Sequence, residues 1–95
     1  MIETIRNDGA IVAIVIYSDY SVEGIKFISP NDFSLQLGTM SRPAGYKVLP
    51  HIHNPVERHC VGTQEVLFIK SGKIRIDFYS FDKVYLESRE LAAGD

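Results

Sequence analysis

The run GYKVLPHIHNPVERHCVGTQEVLFIKSG, residues 45–72, decides the predicted fold because it combines two strand-like segments with a group of potential ligands. His51 and His53 stand two positions apart in the first segment, residues 46–53. Alternate residues of a strand leave the same face of a sheet, so we expect both imidazoles on one face, about 6.6 Å apart along the strand. Glu65 opens the second segment, residues 65–70. On neighbouring strands, the two imidazole nitrogens and the carboxylate oxygen would converge in a chelating arrangement.

An N-terminal hairpin is predicted upstream of this run. Residues 2–6 alternate apolar and polar side chains, and Asn7-Asp8-Gly9 is a strong turn signal. The run 10–18 that follows is almost entirely apolar and rich in β-branched side chains, so we expect a strand buried on both faces.

Two shorter strands are predicted in the middle of the chain. Residues 24–28 form one, and residues 35–41 form the other, which we expect to pair with the antiparallel segment 46–53. Between them, Ser29 at a possible N-cap and Pro30 at the first helical position predict one short helical turn through Phe33.

The C-terminal part also has a strand pattern. Residues 73–80 alternate clearly, with Ile74, Ile76 and Phe78 on one face, and residues 84–86 are expected to pair back. Residues 54–64 lack periodicity and are expected to form a loop. Seven or eight short strands with close turns and no long helix favour an all-β sandwich or barrel.

Composition narrows the class of protein. The chain has 95 residues, which favours a single domain over residues 1–95. Ten Lys and Arg nearly balance twelve Asp and Glu, so we expect neither a nucleic-acid surface nor an acidic tail. The most apolar run, residues 10–17, is too short for a membrane span. Cys60 is the only cysteine, which excludes an internal disulfide and favours the cytoplasm.

The residues singled out above resemble a known family. Gly45, His51, His53, Glu65 and Gly72 are similar to the first sequence motif of the cupins, small double-stranded β-helix barrels of the jelly-roll type. The ending LAAGD, residues 91–95, also resembles the turn that introduces the second cupin motif. The resemblance therefore implies a cupin-type jelly roll that is C-terminally shortened, because the last strands and the second motif would follow residue 95.

The resemblance also implies a metal site. In cupins the corresponding residues hold a divalent metal, so the implied ligands are His51, His53 and Glu65, with Glu57 as the alternative carboxylate because it has the family's usual spacing. Two histidines and one carboxylate suit non-haem Fe(II), while Mn, Zn and Ni also accept such ligands.

Three functions fit this pattern. The first is a metal-binding cupin that acts on or binds a small polar molecule, carbohydrate-like or an oxoacid. The second resembles the metal-independent sugar-nucleotide ketoisomerases and epimerases of cupin type, with His51 or His53 as general base. The third is a binding module without turnover, a shortened descendant of a cupin enzyme.

A homodimer is the expected assembly. A jelly roll without its closing strands leaves strand edges unpaired and inner-face side chains poorly covered, which favours association. We expect each chain to lay a strand of its N-terminal hairpin, residues 2–18, against the sheet of a second copy.

Overall fold

Six strands and no helix make up the regular secondary structure of the protein in a computed structural model that describes all residues, Met1–Asp95. The strands pair as three separate two-stranded antiparallel sheets, so the predicted all-β class is confirmed, although six strands form instead of seven or eight. In chain order they are β1 (Ile2–Asn7), β2 (Ala10–Ile16), β3 (Gly24–Phe27), β4 (Gly38–Ser41), β5 (Lys73–Tyr79) and β6 (Tyr85–Ala92).

The chain divides into two compact units. The first comprises Met1–Tyr20 and Val66–Asp95, and contains the hairpins β1–β2 and β5–β6. The second is Ser21–Glu65 and contains the hairpin β3–β4. We call them the hairpin unit and the histidine unit, because all three histidines lie in the second. The single domain expected from the chain length stays a prediction.

The predicted N-terminal hairpin is confirmed. Its turn places Asp8 at φ 49° and Gly9 at φ 80°, and two consecutive left-handed residues are typical of the type I′ turn that matches the twist of paired strands. β1 and β2 then pair from Asn7 and Ala10 to Ile2 and Ile16.

The core of the hairpin unit is small. Its buried side chains come from β1, β2, β5, β6 and the segment before β5, and they are Ile5, Val15, Ile69, Phe78 and Leu91. Of the three side chains predicted on one face of β5, Phe78 is in the core and Ile76 packs against it half-buried, whereas Ile74 is 39% exposed. The prediction that β2 is buried on both faces is wrong, because only Val15 in this strand is buried and Val12 is 38% exposed. One face of β2 packs on the core cluster, and the other face lacks an equivalent layer.

The single turn predicted through Phe33 is formed, but without the predicted N-cap at Ser29. Phe33 N–H donates to the Pro30 carbonyl in a single turn, and no helix follows. The Ser29 hydroxyl does not act as an N-cap, because it donates to the Leu35 carbonyl and accepts from the Leu37 N–H. These bonds lie within the connection between β3 and β4. Of the predicted strand 35–41, only residues 38–41 pair regularly, with β3.

The two strands predicted at residues 46–53 and 65–70 are not formed. β4 pairs with β3 rather than with residues 46–53, and all of residues 46–53 are exposed. Pro50 has no N–H to donate, and exposed side chains gain little from strand formation, so alternation alone does not hold a strand there. In residues 65–70 only Ile69 is buried, and its N–H and C=O pair with Asp95 and Gly94 at the end of the chain.

The last strand is longer than predicted. β6 continues to Ala92 where the sequence indicated pairing only over residues 84–86, so the first two residues of the LAAGD ending belong to the strand. The Asp95 carboxylate then accepts hydrogen bonds from the N–H groups of Ser18 and Ala92, both at 2.8 Å. These backbone bonds lower the pKa of the Asp95 carboxyl below its ordinary value.

Candidate functional site

The histidine pair is the centre of the candidate site. The rings of His51 and His53 lie edge to face with their centroids 5.3 Å apart, and both residues are exposed. The structure therefore brings together the two imidazoles that the spacing predicted as neighbours, although they lie on irregular backbone instead of on a strand. Their closeness follows from the i, i+2 spacing of an extended segment.

A backbone contact orients the first ring. His51 Nδ1 lies 3.1 Å from the carbonyl oxygen of Leu49. A carbonyl oxygen only accepts, so this hydrogen bond requires the proton on Nδ1 and leaves the lone pair of a neutral ring on Nε2. Metal-binding histidines commonly have this arrangement, with the second ring nitrogen donating to a carbonyl or carboxylate.

Glu65 does not complete a three-ligand centre in the structure. No group of three or more His, Cys, Asp or Glu side chains is placed to hold a metal ion, so neither Glu65 nor Glu57 joins the two histidines in such a group. The ligand set His51, His53 and Glu65 stays a prediction, and so does the alternative with Glu57. The absence of the strand that was expected to begin at Glu65 accounts for the difference.

Several side-chain contacts hold residues 54–64, the irregular segment, to the rest of the histidine unit. Arg58 Nη1 donates to the backbone carbonyls of Asn31 and Phe33, both at 2.8 Å. Ser34 Oγ donates to Gln64 Oε1 at 3.3 Å. Nothing in the sequence indicates these contacts, because an arginine in an aperiodic segment is equally compatible with a free surface side chain.

Two other potential ligands stand close in sequence to the pair. His59 and Cys60 are both exposed, and Cys60 is a free thiol. The Cys60 thiol lies 3.6 Å from Ser34 Oγ and 3.7 Å from the Gly62 carbonyl. Its contacts in this structure are thus to hydroxyl and carbonyl oxygens.

Two clefts lie in the hairpin unit, and no histidine lines either of them. One of about 200 Å³ is lined by Arg75, Ser88, Arg89 and Glu90. A second, of about 350 Å³, is lined mainly by apolar groups and borders residues 10–12 and 79–81.

The main charged cluster of the hairpin unit is built around the guanidinium of Arg89. Arg89 Nε donates to Glu3 Oε2 at 2.5 Å, and the Tyr17 hydroxyl donates to the same oxygen at 3.2 Å. The hydrogen bond from Arg89 lowers the pKa of the Glu3 carboxyl. Burial, followed by the neighbouring Glu3 charge, raises the pKa of the Tyr17 hydroxyl. Arg89 is also paired to Glu87, so two carboxylates surround this one guanidinium and the cluster offers no free cation to a ligand.

The comparisons with known proteins give no relative. No protein-family model, no curated protein and no solved structure matches this chain. The structure contains no helix long and apolar enough to cross a membrane. The candidate site therefore has to be interpreted from its own residues.

Proposed function

We propose that this chain is a cupin-like protein that binds a divalent transition metal through His51, His53 and Glu65 and, at that metal, a small polar molecule. The ligand class, carbohydrate-like or oxoacid, comes from the resemblance of the histidine motif to cupins. The observation that carries the proposal is the histidine pair, with ring centroids 5.3 Å apart and His51 Nδ1 engaged by a backbone carbonyl. Three antiparallel hairpins are also compatible with a jelly-roll ancestry.

The residues present meet the requirements of such a centre in part. The two exposed imidazoles would supply the nitrogen ligands of a two-histidine, one-carboxylate centre. The carboxylate position is not filled, because Glu65 does not form a group with the pair. The proposal is accordingly one of binding, and it assigns no reaction step. A bound divalent metal would supply a Lewis acid toward a carbonyl or carboxylate oxygen.

Metal titration of matched variants tests the proposal. Isothermal titration with Zn²⁺ should give one metal per chain for the wild type and for His59→Ala, which removes a histidine outside the pair. The double variant His51→Ala/His53→Ala should give none. Because imidazole binds metal only in its neutral form, wild-type affinity should fall in acid. Stoichiometric binding by the double variant would refute the proposed ligands.

A second titration identifies the carboxylate. Glu65→Gln should weaken Zn²⁺ binding about tenfold or more, and Glu57→Gln should leave the affinity close to that of the wild type. Weaker binding by Glu57→Gln and unchanged binding by Glu65→Gln would identify Glu57 as the carboxylate ligand. Equal affinity for both variants would reduce the site to the two histidines.

A binding module without turnover is a second candidate, and the exposure of the pair favours it over a metal-independent isomerase. A general base works on a substrate held in place and shielded from water. His51 and His53 are both exposed, and the described clefts are lined by other residues. Acid–base turnover of a keto sugar that persists after chelation and disappears in His51→Ala or His53→Ala would reverse this preference.

A further inference from the structure

We propose that β2 pairs edge to edge with β2 of a second copy of this chain across a two-fold axis. The product is a continuous four-stranded antiparallel sheet in the order β1-β2-β2-β1. The interface lies in the hairpin unit, so it is separate in sequence from the proposed metal ligands.

The outer edge of β2 carries backbone groups that have no hydrogen-bond partner within the chain. β2 is paired only with β1, in a sheet of two strands. No residue of Ala10–Ile16 takes part in any backbone hydrogen bond outside that pairing. Each N–H and C=O on the far side of β2 therefore has no partner within the chain, and a strand edge in this state is a template for another strand.

The sequence of β2 lacks the features that protect natural sheet edges. Its seven residues, AIVAIVI, include no charge and no proline, which are the usual guards. The register with β1 shifts only between Ile5 and Arg6, toward the turn. Residues 13–16 pair regularly with β1, so the regular half of the edge, near Ile14, is the natural centre of a two-fold pairing.

A second copy is the occupant because an antiparallel strand pair is self-complementary. A two-fold axis perpendicular to the sheet sets each β2 antiparallel to the other, so the same edge satisfies itself without any other partner. Antiparallel pairing also brings the end of the second copy's β2 toward residues 10–12. The apolar cleft of about 350 Å³ lies there, bordered by Tyr79 and the fully exposed Phe81.

The exposed area of the chain is sufficient for such an interface. Its accessible surface is 8066 Å². A single globular protein of this mass exposes about 5,500 Å², and two separate globules of half the mass expose about 6,600 Å². The chain thus exposes about 1,400 Å² more than even two separate bodies would, whereas a stable interface buries about 800 Å² per partner. Near this edge the exposed large apolar side chains are Val12, Tyr79 and Phe81, while many of the others lie in residues 46–68.

Charge complementation at Ile14 tests the pairing. The full 95-residue wild-type chain should sediment as a dimer at micromolar concentration. Ile14→Lys and Ile14→Glu should each raise the dimer dissociation constant about tenfold or more, because like charges then face each other across the axis. An equimolar mixture of the two variants should form a heterodimer. This rescue also shows that each variant retains its fold.

The matched controls are Val61→Lys and Val61→Glu, at a side chain that is 87% exposed and lies outside every strand. They should dimerise as the wild type does. A monomeric wild type would overturn the proposal, and so would a dimer that persists in both Ile14 variants. Loss of the dimer in the Val61 variants alone would place the interface in the irregular segment and would equally overturn it. An equimolar mixture of the two Ile14 variants that stays monomeric would also overturn the proposal.

Discussion

Among single residues, Ile5 should contribute most to the stability of the hairpin unit, because its side chain is only 1% exposed and is the most buried of the five core residues. Removing buried methyl groups costs transfer free energy and leaves a cavity. We expect Ile5→Val to lower the free energy of unfolding by about 0.5–1.5 kcal/mol, and Ile5→Ala by about 2–4 kcal/mol. Ile74→Ala, at a side chain that is 39% exposed, should cost clearly less. Equal losses in urea unfolding at both positions would contradict this core.

Glu3 should govern part of the acid stability of the hairpin unit. The hydrogen bond from Arg89 lowers the pKa of Glu3 in the folded protein. The unfolded value is about 4.3, so the stabilisation is present above this pH and is lost as the pH falls through the lower folded value. Glu3→Gln should therefore be less stable than the wild type at pH 6, and the difference should shrink below about pH 4.

Thermal unfolding midpoints between pH 6 and pH 2 check this prediction. Glu23→Gln, at an exposed carboxylate of the histidine unit, is the control and should follow the wild-type profile. Asp95, whose pKa is also lowered, should maintain a residual acid dependence in Glu3→Gln. A constant difference between Glu3→Gln and the wild type across this pH range would show that the carboxylate charge contributes nothing.

For the individual elements, local turn chemistry made some predictions succeed. Asn7-Asp8-Gly9 predicted the first hairpin because Asp and Gly tolerate the left-handed conformations of a type I′ turn, and the structure has both. β5 was likewise predictable from a strict alternation that ends in the buried Phe78. In these hairpins the partner strand is close in sequence, so the local pattern contains most of the necessary information.

Opposite substitutions in the first turn test this explanation. Gly9 has φ 80°, where an added Cβ is strained even though nothing lies within 4 Å of it. Gly9→Ala should therefore lower the free energy of unfolding by about 1–2 kcal/mol. Asp8 already occupies φ 49°, so Asp8→Gly should be neutral or slightly stabilising. Similar losses for both variants in urea unfolding would mean that the turn conformation is not what limits the hairpin.

The predicted elements that failed required a distant partner. Residues 46–53 have suitable alternation, but their expected partner β4 is paired with β3, and Pro50 removes a donor. The polar and apolar pattern also failed to reveal that Ser29 bonds across a loop to Leu35 and Leu37 instead of capping a helix. A polar and apolar pattern indicates that a segment is compatible with a strand, whereas the available pairing partners decide whether the strand forms.

In the molecule as a whole, the part of the site that depends on residues near each other in sequence was predictable, and the part that depends on distant residues was not. His51 and His53 are two positions apart, and local geometry alone brings their rings to 5.3 Å. Glu65 is twelve positions beyond His53, so its approach depends on the path of the intervening chain, which the sequence does not specify. The contacts of Arg58 with Asn31 and Phe33 are part of that path and were not predictable.

X-ray absorption by the Zn²⁺-loaded wild-type chain tests the central claim, that the histidine pair holds the metal, most directly. The account predicts two imidazole nitrogens at about 2.0–2.1 Å, oxygen in the remaining positions and no sulfur. The imidazole signal should disappear in His51→Ala/His53→Ala and persist in His59→Ala. A sulfur shell at about 2.3 Å, which would identify Cys60 as a ligand, or a wild-type spectrum with fewer than two imidazoles would contradict it.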